Sequence, residues 1–132
     1  MTRVLGVDGC RTGWAGIVWD GRSVQAVFAR RLVDLLAAAG EVDAVVLDMP
    51  IGLPDHGVRQ ADLLAKKELG PKASSIFLTS TRAALHAPTR GEAQVLNHQH
   101  GGGGVTAQAF ALHAKIAEVD VAVREAGAPV VE

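Results

Sequence analysis

Two aspartates are set off by what precedes and follows them. Asp8 ends the apolar run from Arg3 and is followed by Gly9, and Asp48 ends Val45-Val46-Leu47 and is followed by Met-Pro-Ile-Gly-Leu-Pro. A buried strand that finishes on a carboxylate carries charged oxygens to the rim of a sheet. Ligands of open α/β sheets bind outside the carboxyl ends of parallel strands, so neighbouring strands would bring Asp8 and Asp48 together. Two ionised carboxylates about 4 Å apart repel by about 4 kcal/mol at an effective dielectric of about 20. A proton or a cation between them relieves that repulsion. Hard oxygen donors with open positions suit Mg²⁺ or Mn²⁺, and such an ion polarises a phosphoryl oxygen and activates water. The competing assignment is local: Asp48 caps its own loop through amides near Gly52, and Asp8 makes an Asx turn with Cys10.

The elements that must position these residues follow from pattern. Arg3 to Asp8, Trp14 to Trp19 and Ser23 to Ala29 read as strands, with Asp20-Gly21 as a hairpin signal between the second and third. Leu32 to Ala39 reads as a helix stopped by Gly40, and Val42 to Asp48 as a strand buried on both faces. Helices are predicted over 57–69, over 92–98, and from a Thr106 cap to about Glu125, with 71–90 irregular. Leu112, Ile116, Val119 and Val123 form the apolar stripe of the last helix, which Gly127-Ala128-Pro129 ends before Val130-Val131-Glu132 begins a strand. This order predicts an α/β fold of ribonuclease-H-like arrangement. Three antiparallel strands are extended by parallel ones, helices pack on the sheet, and a crossover sets the fourth strand beside the first.

The chain has 132 residues, enough for one domain over 1–132, and is 48% hydrophobic but only 4% aromatic, which fits a core of small branched side chains. With 13 basic and 14 acidic residues the net charge is −1, so no global basic field holds a nucleic acid by charge alone. The lone Cys10 forms no internal disulfide or zinc site by itself and reads as a small buried hydrophobe. No run approaches membrane-spanning length, so a cytoplasmic protein without a membrane partner is expected.

Several segments in order carry a resemblance. They are Val-Leu-Gly-Val-Asp-Gly-Cys-Arg-Thr-Gly-Trp ending at Trp14, Leu-Asp-Met-Pro-Ile-Gly-Leu-Pro (47–54), Arg59 to Gly70, Ser74 to Arg82, Gly104 to Phe110, Lys115 to Asp120, and the final Val-Val-Glu. Together they resemble the domain-of-unknown-function 429 family, whose members are expected to be ribonuclease-H-like nucleases. The resemblance implies acidic positions at Asp8, Asp48, Glu118 and Glu132, an Arg-x-x-Asp at Arg59 and Asp62, and a family glutamine at Gln108. It implies a metal-dependent phosphodiesterase with Mg²⁺ or Mn²⁺ as cofactor. Two departures stand out: Phe77-Leu78-Thr79-Ser80 replaces a proline-bearing stretch, and the family's pattern continues past Val-Val-Glu. The fold is therefore expected to lack its C-terminal helix and most of its last strand.

On the long helix, about 100° per residue sets Gln108, Lys115 and Asp120 toward the stripe and Glu118 on the solvated side. The resemblance favours Glu118 as the helix ligand, with Asp120 as its rival. Arg59, Asp62 and Lys66 share one helical face; solvated ion pairing and phosphate contact by Arg59 are both open. Gly101 to Gly104 lack the Lys-Ser/Thr of a phosphate loop and read as a linker or lid. His56 is the histidine best placed near Asp48, His98 and His100 do not converge on a metal, and Ser74-Ser75 lacks a base partner. The leading expectation is a nuclease with Asp8 and Asp48 on the metal, helped by Glu118 or Glu132, and Arg11 or Arg59 steadying the phosphate of a nucleic acid or nucleotide. A phosphotransferase of the sugar-kinase and actin type is the second expectation. A non-catalytic subunit that dimerises or binds a partner chain to complete its sheet is the third.

Overall fold

In a computed structural model the described residues are 2–126 and 130–132; the expected helix stop at 127–129 lies outside them. The fold is mixed α/β, with one five-stranded sheet of antiparallel and parallel strands in the order β3-β2-β1-β4-β5. The chain forms two compact units, one made of residues 1–51 and 118–132, the other of residues 52–117.

The first unit holds the sheet. β1 (Val4–Cys10), β2 (Gly13–Trp19) and β3 (Val24–Ala29) form an antiparallel meander. The hairpin between β2 and β3 closes on Asp20, whose Oδ1 accepts from the Arg22 and Ser23 amides at 2.8 Å each. Those amides hold the exposed Asp20 carboxyl down at about 2. Helix α1 (Leu32–Ala39) crosses back over β2 and β3 and leads to β4 (Ala44–Leu47), which runs parallel to β1 as the crossover argument expects. Arg3 and Asp43 fix that register, Asp43 N donating to Arg3 O at 2.7 Å and Arg3 N to Asp43 Oδ2 at 2.7 Å. β5 (Val130–Val131) adds in parallel to β4.

Strand alternation gives the sheet two unlike faces. Leu5, Val7, Trp14 and Val18 are buried with Leu32 and Leu35 of α1. Gly16 is on this covered face because a Cβ there would stand 3.0 Å from Leu5 Cδ1 and Val27 Cγ2 and 3.2 Å from Leu35 Cδ2. The opposite face is open and apolar: Ile17, Trp19 and Phe28 are 50%, 52% and 57% exposed.

The second unit contains α2 (Gln60–Leu69), two 3₁₀ turns (Gly70–Ser75 and Arg82–His86), α3 (Arg90–Gln99) and the first part of α4 (Ala107–Ala126). The long helix starts where predicted, with Thr106 Oγ1 accepting from Ala109 N at 3.1 Å. α2 starts three residues later than predicted, because Arg59 has extended backbone and Gly57 N is engaged by His100 O at 2.7 Å. Thr89 caps α3 through the Glu92 amide, 3.2 Å away.

Candidate functional site

The parallel pairing of β1 with β4 sets Val7 opposite Leu47. Asp8 follows Val7 on β1 and Asp48 follows Leu47 just past the end of β4, and both line the open face. Neighbouring strands lie about 4.8 Å apart, which brings the two carboxylates side by side. Both are exposed, and among the described residues neither has a hydrogen-bond or ion-pair partner. The local alternatives are thus not what forms. Asp8 lies inside β1, paired with Ala15, and the loop amide of Ile51 is taken by Glu132 Oε2 at 3.1 Å. The two aspartates rim a depression of about 700 Å³ whose floor is apolar, with Gly6, Ala15, Ile17, Phe28 and Val46.

The structure does not bring Glu118 to this pair. Its Oε2 accepts from Trp14 Nε1 at 2.9 Å and its Oε1 from the Leu32 amide, both on the covered side of the sheet. The helical-wheel expectation that Glu118 faces solvent is corrected here. α1 has no side-chain cap of its own at Arg31, and Glu118 supplies the acceptor that its first turn lacks. Asp120, the rival, forms an ion pair with Arg124 at 3.0 Å. Glu132 is tied to Ile51 N, and Arg11 is exposed in the turn after β1. Among the described residues no group of three His, Cys, Asp or Glu could hold a metal ion. A metal here would have Asp8 and Asp48 as its protein ligands.

The other candidates belong to the second unit. Arg59 is committed to Asp62, its Nε and Nη2 donating to Oδ1 at 3.1 and 2.7 Å. Asp62 is buried, and its Oδ2 accepts from Thr79 N at 2.8 Å. Burial pushes this carboxyl up, but Arg59 and Thr79 together hold it below its ordinary value. The pair is thus not the solvated one that i,i+3 spacing alone allows. Gln108 is exposed rather than turned inward, and Lys115 is half-buried. His56 stacks on His100, ring centroids 5.7 Å apart.

Two polar clusters escaped the sequence reading. Asn97 accepts from Thr81 N and Oγ1 at 2.7 and 2.9 Å and donates to Gly103 O at 2.8 Å. Gly102 has to be glycine, because a Cβ would fall 2.6 Å from Asn97 Oδ1. Within the glycine run it is therefore Gly102 that packs tightly, against Asn97. Ser80 Oγ and His113 Nε2 lie 3.0 Å apart, both buried, and His113 Nδ1 has no partner among the described residues. Burial pushes the imidazole below its ordinary value. The pair resembles a nucleophile and base, yet it has no orienting acid at Nδ1 and no path for substrate at 3% exposure. The signal that could have found His113 is its place between Ala109 and Ile116, both buried on the same helical stripe.

No curated protein and no solved structure matches the chain. A family model described as "Protein of unknown function (DUF429)" matches residues 6–132. With that match over nearly its whole length, and with the ordered segments around Asp8, Asp48, Asp62 and Gln108, the chain belongs to that family.

Proposed function

We propose that the protein is a divalent-metal-dependent phosphodiesterase, a nuclease of ribonuclease-H-like fold, with its metal site at Asp8 and Asp48. The observation that carries this reading is the pair of exposed, unpartnered carboxylates on the open face, Asp8 within β1 and Asp48 just after β4. Three antiparallel strands extended by two parallel ones support the fold assignment. The donors fit Mg²⁺ or Mn²⁺: two hard anionic oxygens on an open rim suffice for an ion that keeps several waters and uses one or two carboxylates. When bound, the ion supplies positive charge against a phosphoryl oxygen. The chain's own part is to hold the two carboxylates side by side and to offer Arg11, in the turn after β1, to a substrate phosphate. The apolar floor beside the pair would take the sugar or base portion of the substrate.

Thermal unfolding with and without Mn²⁺ tests this. At a Mn²⁺ concentration about 100-fold above its dissociation constant the native state gains about 2.7 kcal/mol. The gain is expected in the wild type and lost in Asp8→Asn and Asp48→Asn, which also lose Mn²⁺-dependent cleavage of RNA or DNA oligonucleotides. A wild-type midpoint indifferent to Mn²⁺ and Mg²⁺ would reject the site. A second reading, association through the open sheet face, is favoured by the exposure of Ile17, Trp19 and Phe28.

A further inference from the structure

The second unit holds a cavity that neither carboxylate nor metal explains. It has a volume of about 470 Å³, within the roughly 300–1,000 Å³ of small-molecule sites. One wall is polar: Lys66 from α2, Ser74 and Ser75 from the 3₁₀ turn that follows it, and Thr106 and Gln108 at the start of α4. The other wall is Ile76, Phe77 and Leu78. Lys66 is the one charged residue lining the cavity among the described residues, and no carboxylate lines it. The acid nearest Lys66 on its own helical face, Asp62, has its oxygens engaged by Arg59 and Thr79.

Most of the polar groups on this wall can donate to an anion. Lys66 is half-buried and donates to Ala73 O at 3.0 Å, which fixes the ammonium and leaves two of its three protons for a ligand. Thr106 satisfies the Ala109 amide, and the Ala107 and Gln108 amides of the first turn have no partner within the helix. They add the positive end of a 20-residue helix to the same wall. Ser75 is the exception: its Oγ proton is taken by Lys72 O at 2.7 Å, so it offers no donor to an anion. Ser74 and Gln108 are exposed and make no hydrogen bond among the described residues, so they are the adjustable donors.

We propose that this cavity binds a small organic phosphate, its phosphoryl group against Lys66, Ser74, Gln108 and the start of α4, and its ring against Phe77 and its neighbours. The inference is independent of the Asp8–Asp48 reading, because it needs no divalent ion. The probes are AMP, inorganic phosphate and adenosine, titrated into the full chain by calorimetry with EDTA present. AMP is expected to bind, inorganic phosphate at least tenfold more weakly, and adenosine more weakly still. Lys66→Gln is expected to weaken AMP at least tenfold, and Ser74→Ala and Gln108→Ala each a few-fold, with unfolding midpoints retained. Asp48→Asn is expected to bind AMP as the wild type does, which separates this site from the proposed metal site. Absence of AMP binding would overturn the proposal, as would unchanged affinity in Ser74→Ala and Gln108→Ala, whose exposed side chains leave the fold intact. Equal affinity for AMP and inorganic phosphate would overturn the assignment of an organic ligand.

Discussion

At the scale of single residues, the second unit is held by polar groups whose environments differ sharply from water. Asp62 is 6% exposed and is the acceptor for both Arg59 and the Thr79 amide. Asp62→Ala leaves a guanidinium and an amide without that acceptor, and breaking such a buried pair costs about 3–5 kcal/mol. The loss is expected in chemical denaturation, and a double-mutant cycle with Arg59→Ala should recover much of it. His113 sets a pH dependence. Its folded value is depressed from 6.5 by burial, so the unfolded chain takes up a proton first as pH falls. His113 therefore contributes stability in full above about 6.5, and that stability is lost as pH falls below it toward the depressed folded value. Unfolding midpoints measured from pH 8 to pH 5, about the window in which histidine titrates, should fall in the wild type. They should fall less in His113→Leu, which keeps the packing near Phe110 but cannot be charged.

At the scale of elements, Glu118 shows how one carboxylate can serve packing rather than chemistry. It joins α4 to the start of α1 and to Trp14 of β2. Glu118→Ala would remove the carboxylate that accepts from the Trp14 indole N–H and the Leu32 amide, at a cost of about 2–3 kcal/mol. Glu118→Gln keeps one carbonyl oxygen and should lose about half of that. Neither variant is expected to change the Mn²⁺-dependent shift in unfolding, because Glu118 bonds on the covered face and Asp8 and Asp48 stand on the open one. Calorimetric unfolding of both variants with and without Mn²⁺ checks the assignment, and loss of the Mn²⁺ shift in Glu118→Gln would return Glu118 to the metal.

At the scale of the whole molecule, the sheet buries one face under α1 and leaves the other to solvent. Val24, Phe28, Trp19, Ile17, Val46 and Val131 are all large, apolar and exposed on its strands. Contiguous apolar patches of this kind mark interaction surfaces, and the free edge at β3 adds unpaired backbone groups. Self-association that rises with concentration is expected in sedimentation velocity. Phe28→Lys and Ile17→Lys, both at positions already open to solvent, should reduce it without lowering the unfolding free energy by more than about 0.5 kcal/mol. A monomer at all concentrations would show that this face does not pair with a second copy.

The sequence alone determined the element order, the helix at Leu32–Ala39, the Thr106 cap and the nearness of Asp8 to Asp48, because these follow from local rules. Alternation, capping chemistry and turn residues act within a few positions. The position of β4 beside β1 was also legible, since a single helix between β3 and β4 restricts the crossover. Tertiary structure decided the rest. Helical periodicity placed Glu118 toward solvent, but an indole N–H and an uncapped helix start, distant in sequence, supply two donors that draw it in. The Arg59–Asp62 pair was visible as spacing, whereas its burial depends on Thr79 folding over it. Nothing in the order of residues announced that Ser80 and Asn97 would meet His113 and Thr81, or that Lys66, Ser74 and Gln108 would line one cavity. Such contacts join segments through the folded backbone, and one-dimensional spacing carries no information about which distant groups will be neighbours.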